Sequence, residues 1–257
     1  MWLDRTILLM GKERVQKLQE AHVAVVGLGG VGAYAAEMLV RAGIGQLTIV
    51  DADTISETNK NRQLLALDST LGEEKTALMS RRLLDINPAL RLTAHTLFLN
   101  ADNLPLVMCP QPNVIARRVS AEANSPPTVF PHYVVDAIDT LAPKIELISY
   151  CVQQQIPIVS AMGAGAKYDA TALKITDISK SYNCPLAHQL RKRLGREKGI
   201  KRGVTVVFST ELPDSNAIEL VNEQNKKSIV GTVSYLPAVF GCLCAQAVIE
   251  GLAINKK

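Results

Sequence analysis

Aromatic residues and paired cysteines are scarce in this 257-residue chain. Phe, Trp and Tyr make up 4% of it, and its five cysteines are scattered without a C-x-x-C pair. Structural zinc sites and dithiol redox centres use such pairs, so the spacing argues against both. Odd, dispersed thiols are typical of a reducing compartment, which predicts a cytoplasmic protein.

The first residues also do not match a secretory signal. The first residues, Met1 to Arg5, lack the basic start and apolar run of such a signal, so we expect no export. The uncharged stretch from Ser228 to Ile249 is long enough to cross a bilayer. Its polar residues, together with Gly241 and Ala245 at helical spacing, favour a helix packed in a soluble core instead, so we expect no membrane partner.

The overall composition excludes disordered and collagen-like classes. Hydrophobic residues make up 47% of the chain and charged residues 20%, with 28 Lys and Arg against 24 Asp and Glu. A chain of this length buries a substantial core, which suits one large α/β domain.

Short apolar runs alternate with longer stretches of helical periodicity. This pattern predicts an α/β fold with a Rossmann-like, doubly wound, mostly parallel sheet and a mixed C-terminal extension. We expect a single domain, 1–257, with a nucleotide-binding half at 1–165 and a second functional half at 166–257. The predicted strands are His22–Val26, Gln46–Asp51, Arg91–Thr96, Tyr133–Asp136, Ile156–Ser160, Leu173–Ile178 and Val204–Phe208. The predicted helices are Ala33–Ala42, Gly72–Ile86, Leu141–Gln155, Pro185–Leu194 and one ending near Gly251; Cys109–Pro131, with five prolines, is an irregular segment of no assigned chemistry.

Glycines connect the first predicted strand to the first predicted helix. Gly27, Gly29 and Gly32 let the backbone turn tightly and bring helix N–H groups close to a phosphate. Asp51, at the end of the second strand, is placed to bind a ribose hydroxyl group. The motif does not choose between NAD, FAD and ATP, and a structural role in strand-to-helix packing stays open.

Polar residues beyond Asp51 favour a triphosphate. Asn59 and Arg62 follow just past the ribose site, and Lys75 stands at a helix start. The planar guanidinium and the ammonium charge could neutralise the charge that builds on a triphosphate attacked at its α-phosphorus. The alternative is that Arg62 and Lys75 are solvated surface charges.

A second acidic motif, Asp136-Ala137-Ile138-Asp139, follows another strand end, where open α/β sheets bind ligands. One of its carboxylates can hold Mg²⁺ on the phosphates, and the other can cap the next helix. The sequence leaves open which carboxylate has which role.

In combination, G-x-G-G-x-G, D-x-D, N-x-x-R-Q, a lysine and D-x-x-D resemble the adenylyltransferases related to ubiquitin-activating enzymes, the ThiF, MoeB and HesA superfamily. The resemblance spans residues 5–165. It implies ATP and Mg²⁺ as cofactors, with Asp139 on the metal, and a homodimer in which Arg5 reaches the partner subunit's phosphates. The catalytic residues that it implies are Arg5, Arg62, Lys75 and Asp139, and the ATP-binding residues are Gly27, Gly29, Gly30, Gly32, Asp51, Asn59, Arg62, Lys75 and Asp139.

The second half of the chain narrows the resemblance to one branch of that superfamily. Segments 160–164, 177–180 and 206–209 resemble the bacterial tRNA threonylcarbamoyladenosine dehydratases. This implies ATP-dependent cyclisation of threonylcarbamoyladenosine beside the tRNA anticodon, through an acyl-adenylate of the threonyl carboxylate, and a sulfur-transfer protein as a candidate partner. Cys184 departs from the pattern, since an acid is expected there, and we interpret it as a packing residue. Cys242 and Cys244 are interpreted as core residues facing different directions.

Positive charge is concentrated between residues 191 and 202. This segment has seven basic residues and one acid, whereas the rest of the chain has a net charge of −2. Such a concentration favours contact with tRNA phosphates, although a solvated helix face is the alternative. The predicted tRNA-binding residues are Arg191, Lys192, Arg193, Arg196, Lys198, Lys201 and Arg202.

Three other functions remain in competition. Adenylation of a ubiquitin-like or sulfur-carrier protein is disfavoured by the missing C-x-x-C pairs. A nucleotide-gated scaffold protein has no need of Arg62, Lys75 and Asp139 together. An NAD oxidoreductase is disfavoured because the sequence shows no candidate proton-transfer residue linked to a hydride site.

Overall fold

The structure is a computed structural model that describes residues 2–108, 130–223 and 226–254. Residues 109–129 of the proline-rich segment lie outside the described residues. The strands are β1 (His22–Val26), β2 (Gln46–Val50), β3 (Arg91–His95), β4 (Tyr133–Asp136), β5 (Ile158–Ala161), β6 (Leu173–Asp177), β7 (Thr205–Ser209), β8 (Ile218–Glu223) and β9 (Lys226–Val230). The helices are α1 (Asp4–Met10), α2 (Lys12–Glu20), α3 (Gly32–Arg41), α4 (Lys75–Ile86), α5 (Leu104–Met108), α6 (Leu141–Gln153), α7 (Pro185–Glu197) and α8 (Tyr235–Ala253).

Seven strands form one sheet in the order β3-β2-β1-β4-β5-β7-β6, and β8 pairs with β9 in a separate hairpin. All neighbours in the large sheet are parallel except β6 and β7. The order changes direction between β1 and β4, and ligands of such sheets bind outside the carboxyl ends of the strands at that point.

Both faces of the sheet are covered by helices. Along β1, Val23 and Val25 join an apolar cluster with α3, α4 and α8, while Ala24 and Val26 join a second cluster with α5, α6 and α7. Alternate residues of a strand point to opposite faces, so β1 contributes to both cores. This accounts for its uninterrupted apolar sequence.

The predicted α/β fold with its mixed C-terminal extension is confirmed. Every predicted strand is present within two residues at each end, and α7 extends three residues beyond the predicted end, to Glu197. Five elements of the described chain were not predicted: the helices α1, α2 and α5 and the two strands β8 and β9. The first of these, α1, has only seven residues and buries none of them, so it is too short to show a helical repeat of apolar positions in the sequence.

The uncharged C-terminal stretch contains α8, the one helix in the described residues that is long and apolar enough to cross a membrane. Half of its apolar window is buried inside the protein. A Cβ atom on Gly241 would lie 2.4 Å from the backbone oxygen of Val31, so α8 packs closely on the start of α3. This is the close helix packing predicted from Gly241 and Ala245.

Candidate nucleotide-binding site

The glycine loop between β1 and α3 lies where the sheet order changes direction. Gly27 has a φ of +91°, and a Cβ atom there would lie 2.8 Å from the backbone oxygen of Ala137, in the loop after β4. A Cβ atom on Gly32 would lie 1.7 Å from the oxygen of Gly27, which no side chain can tolerate. Only glycine permits this tight turn, which points the first N–H groups of α3 toward the carboxyl ends of β1 and β4.

Asp51 holds this loop in position. One carboxylate oxygen accepts a hydrogen bond from the Leu28 N–H at 2.6 Å, and the other accepts one from the Asp53 N–H at 2.8 Å. Burial raises the pKa of Asp51, and the nearby charge of Lys75 opposes that shift. Its remaining lone pairs are available to a ribose hydroxyl group.

Lys75 is not a solvated surface charge. It is the first residue of α4 and is only 4% exposed. Its Nζ atom lies 2.7 Å from Asp53 Oδ2 and 3.8 Å from Asp51 Oδ1. A buried ammonium group is therefore held at the carboxyl end of β2, next to two carboxylates that would otherwise repel a triphosphate.

Arg62 lies beside the glycine loop. A Cβ atom on Gly30 would lie 3.3 Å from the Arg62 backbone oxygen and 3.1 Å from the Pro237 side chain. The guanidinium group donates to the Thr58 carbonyl oxygen at 3.0 Å and to Asn61 Oδ1 at 2.8 Å. These bonds occupy one end of the guanidinium fork and leave other N–H groups for phosphate oxygens.

The predicted ligand Asn59 has a local role in the same turn, where its Oδ1 atom accepts the Ser56 N–H at 3.1 Å. Its side-chain amide group keeps its N–H donors. Sequence reasoning missed Gln63, the last residue of N-x-x-R-Q. Its Nε2 atom would lie 3.8 Å from a Cβ atom on Gly29, and its buried Oε1 atom has no partner among the described residues. An unpaired buried acceptor at this loop suits a ligand donor.

The two aspartates of D-x-x-D differ completely in environment. Asp136 is fully buried, with Oδ2 2.9 Å from Lys144 Nζ and 2.6 Å from Ser160 Oγ. The Ile138 N–H donates to its other oxygen at 3.1 Å, and Lys144 Nζ also donates to the Ile138 carbonyl oxygen at 2.9 Å. Asp139 is exposed just beyond this braced turn. The structural role therefore falls to Asp136, which leaves Asp139 as the carboxylate open to a ligand.

The predicted residue Arg5 is not brought to this site within the chain. It lies exposed on α1. A Cβ atom on Gly43, just before β2, would lie 3.1 Å from the Leu3 side chain. Leu3 thus packs at the amino end of β2, whereas Asp51 follows its carboxyl end.

The basic residues of 191–202 are of two kinds. Arg191, Arg193 and Lys198 have partners: the Ser181 carbonyl oxygen at 2.8 Å, Glu197 at 2.7 Å and Glu146 at 3.0 Å. The remaining four are exposed and form no ion pair in the described part of the chain. They are Lys192, Arg196, Lys201 and Arg202. The open groove along α7 is lined by Gln189, Lys192, Arg193, Arg196 and Glu197.

Cys184, Cys242 and Cys244 are not among the described residues that contact the glycine loop. Cys184 is buried and accepts the Ala187 N–H as the N-cap of α7, which agrees with a packing role. Cys244 is buried, and burial raises its pKa to about 12. Cys242 is exposed, so its interpretation as a core residue was wrong. Cys242 and Cys244, two residues apart on a helix, do face different directions.

A glycine loop at the point where strand order reverses, an acid hydrogen-bonded to that loop and two basic side chains define a nucleotide-binding protein of the doubly wound α/β class. The chain belongs to the ThiF family, whose profile matches residues 3–256. The resemblance to ThiF-type adenylyltransferases is therefore confirmed.

Several relatives of this chain have the same enzyme name. The tRNA threonylcarbamoyladenosine dehydratase of Escherichia coli (strain K12) is 40% identical over 219 residues, which are 82% of this chain and 75% of that protein. The enzyme of the same name from Bacillus subtilis (strain 168) is 36% identical over 260 residues, 97% of this chain and 93% of that protein. The crystal structure of E. coli tRNA N6-threonylcarbamoyladenosine dehydratase, TcdA, in complex with ATP matches with a TM-score of 0.83 at 34% identity, covering 98% of this chain and 93% of that one.

Proposed function

We propose that the protein is an ATP-dependent tRNA threonylcarbamoyladenosine dehydratase that cyclises the modified adenosine beside the anticodon. The similarity to dehydratases over most of their length supports the substrate. The observation that carries the chemistry is the buried ammonium group of Lys75 between Asp51 and Asp53. A triphosphate needs such a cation, and a site that merely senses a dinucleotide does not.

Chemically, the threonyl carboxylate is a poor acyl donor because it cannot expel an oxide ion. Its oxygen attacks the α-phosphorus of ATP, and pyrophosphate leaves. A nucleophilic atom of the carbamoyl group then attacks the acyl carbon, AMP leaves with the former carboxylate oxygen, and a proton is released. The net change in the nucleoside is the loss of one water, and the intramolecular step gains from high effective molarity.

Within this scheme the Gly27–Gly32 loop receives the phosphates on backbone N–H groups, and Asp51 binds the ribose. Arg62 and Lys75 neutralise the charge that builds around the α-phosphorus. Asn59 donates its side-chain N–H to a phosphate oxygen.

A Mg²⁺ ion fits the exposed carboxylate of Asp139. The described residues contain no cluster of three or more metal-binding side chains. Mg²⁺ does not require one, because it commonly binds through one or two carboxylates and the phosphates of its substrate. When bound, it would neutralise phosphate charge.

Arg5 would serve the site of a partner subunit in a homodimer. Leu3 packs at the end of β2 opposite to Asp51, so α1 starts far from its own nucleotide loop. Leu8 and Leu9 of α1 are 88% and 85% exposed, which suits a helix that a second copy covers.

tRNA would bind along α7 through phosphates. The four basic residues that form no ion pair among the described residues can neutralise tRNA phosphates and so release counterions from the RNA, whereas Arg193 is already paired with Glu197. The single substitution Lys192→Gln should therefore lower the salt dependence of tRNA binding more than Arg193→Gln does. Equal effects of the substitutions on the salt dependence would show that ion pairing within the protein does not decide which basic residues bind tRNA. A cytoplasmic location, and a sulfur-transfer protein as a further partner, complete the proposal.

The decisive experiment incubates the protein with Mg-ATP and tRNA bearing threonylcarbamoyladenosine, then digests the tRNA for mass spectrometry. We expect the nucleoside minus one water, with equimolar AMP and pyrophosphate. An unchanged nucleoside despite ATP binding would contradict the proposal. Pyrophosphate exchange into ATP on addition of a ubiquitin-like carrier protein would then identify a carrier-protein adenylyltransferase.

A further inference from the structure

Exposed tyrosines gather on one part of the surface. The chain has six tyrosines. Tyr34, Tyr133 and Tyr150 are buried or partly buried, whereas Tyr168, Tyr182 and Tyr235 are 56%, 48% and 46% exposed. The exposed three, here called the tyrosine platform, stand in the loop after β5, in the loop before α7 and at the first turn of α8.

Direct contacts fix two of these side chains relative to each other. The hydroxyl group of Tyr235 donates to the Tyr168 carbonyl oxygen at 2.7 Å. The carboxylate of Glu211 accepts the backbone N–H groups of Tyr168 at 3.0 Å and Asp169 at 2.8 Å. The polar tip of Tyr235 is thus satisfied by the protein while its ring stays exposed.

Lys167 joins the third tyrosine to this pair. It is only 2% exposed, and its Nζ atom donates to the carbonyl oxygens of Asn183 and Ser209, each at 3.0 Å. The loop carrying Tyr168 is therefore tied to the loop carrying Tyr182. The ring of Tyr182 rests edge-on against Phe208, with centroids 5.4 Å apart.

The tyrosine platform lies between the nucleotide site and the basic helix. On one side, Pro237 contacts the position of Gly30, and Asn61 donates to the Thr232 carbonyl oxygen at 3.1 Å, so the start of α8 borders the glycine loop and Arg62. On the other side, Tyr182 stands three residues before α7, the helix that carries most of the basic segment 191–202.

We propose that the tyrosine platform stacks unpaired bases of the tRNA anticodon loop that flank the modified adenosine. This inference rests on the proposed function. Phosphate contacts along 191–202 can hold the RNA but cannot grip its bases, since that segment has no aromatic side chain. Exposed rings beside the adenylation site supply what is missing, because aromatic rings stack on any base without reading its sequence.

The test compares three substitutions at Tyr168 and at Tyr182. Alanine removes the ring, leucine keeps apolar bulk without a π face, and phenylalanine keeps the ring. We expect the Ala and Leu variants to raise the KM for modified tRNA by about 5- to 150-fold per lost base contact, the range of measured base–aromatic stacking. The Phe variants restore the KM of the unaltered protein. The KM for ATP and the subunit mass in light scattering stay constant throughout.

Each other outcome overturns the inference. A tRNA KM that does not change shows that the tyrosine platform serves another partner, such as a protein. Leucine variants that behave like phenylalanine variants show apolar packing rather than stacking. A parallel change in ATP KM or in subunit mass shows a structural or dimer-forming role. Failure of the unaltered protein to dehydrate the nucleoside contradicts the proposed function itself, which separates the two failures.

Discussion

Replacement of Lys144 by methionine tests how the turn that carries Asp139 is held. Lys144 Nζ and Asp136 Oδ2 are 2.9 Å apart, and both side chains are 0% exposed. Removal of the ammonium group leaves a buried carboxylate without its counter-charge and the Ile138 carbonyl oxygen without its donor. Breaking a buried pair from one side typically costs about 3–5 kcal/mol, so we expect a loss of stability in that range.

The measurement is urea unfolding monitored by circular dichroism, and the rate of AMP formation is measured on the same variants. Lys60→Met is the matched control, because Lys60 pairs with Asp68 at 2.5 Å on the surface, where the Asp68 side chain is 85% exposed. Surface pairs contribute little, so this control should unfold almost like the unaltered protein. The double variant with Asp136→Asn should be more stable than Lys144→Met alone, because no unpaired buried charge remains.

Two results would refute the stability argument, and a third would refute the link between Lys144 and catalysis. One is a Lys144→Met variant no less stable than the Lys60→Met control. The other is a double variant as unstable as Lys144→Met, since the unpaired charge would then not be the cause. Unaltered AMP formation in a folded Lys144→Met variant would show that the turn does not depend on Lys144.

Three further predictions concern single positions. Lys75→Ala should lower the rate of AMP formation about 10²–10³-fold, the usual effect of losing one group that stabilises developing charge. The binding of tRNA in filter assays should stay nearly intact. A parallel loss of AMP formation and tRNA binding would contradict the role assigned to Lys75. Gly32→Ala should abolish ATP binding in calorimetry, because its Cβ atom would lie 1.7 Å from a backbone oxygen. The control is Gly195→Ala, which has open space around it in α7 and should stabilise the protein by about 0.5–1 kcal/mol. A Gly32→Ala variant that binds ATP normally would contradict the loop geometry. Burial lowers the pKa of His22 to about 4, so the unfolded chain binds more protons than the folded protein does between pH 4 and about 6.5. The free energy of unfolding should therefore fall by about 3 kcal/mol as the pH drops through that window. A His22→Gln variant with the same pH dependence in urea unfolding would exclude His22 as the cause.

The sequence was sufficient to locate a candidate site residue where the pattern that marks it lies within a few neighbouring elements of the chain. The glycine loop, Asp51 and Lys75 lie within one βαβ unit, and each stands at a strand end or helix start, where periodicity and spacing locate it. Lys144 was not predictable in this way, because a lysine on a helix is ordinarily solvated. Only the pairing of β4 with β5 and the packing of α6 bring it to Asp136.

Charge counting predicted the basic segment 191–202, but it did not predict which of its basic residues have partners within the protein and which do not. A count of seven cations treats all as equivalent, although Arg193 and Glu197 are four residues apart on one helix, a spacing that signals an ion pair in the sequence itself. The bonds of Arg191 and Lys198 to Ser181 and Glu146 depend on tertiary packing. The same holds for the tyrosine platform, whose members are up to 67 residues apart in the chain.

Two acids of the predicted motifs bind the protein's own backbone rather than facing solvent. Asp51 fixes the Leu28 N–H of the glycine loop, and Asp136 fixes the Ile138 N–H of the turn after β4. These two loops touch, since the position of a Cβ atom on Gly27 lies 2.8 Å from the Ala137 oxygen. A buried carboxylate bound to N–H groups holds a loop far more rigidly than a solvated one could, because an unpaired charge there is costly. Both acids therefore shape the loops, and in the proposed function Asp51 also meets the nucleotide whereas Asp136 does not.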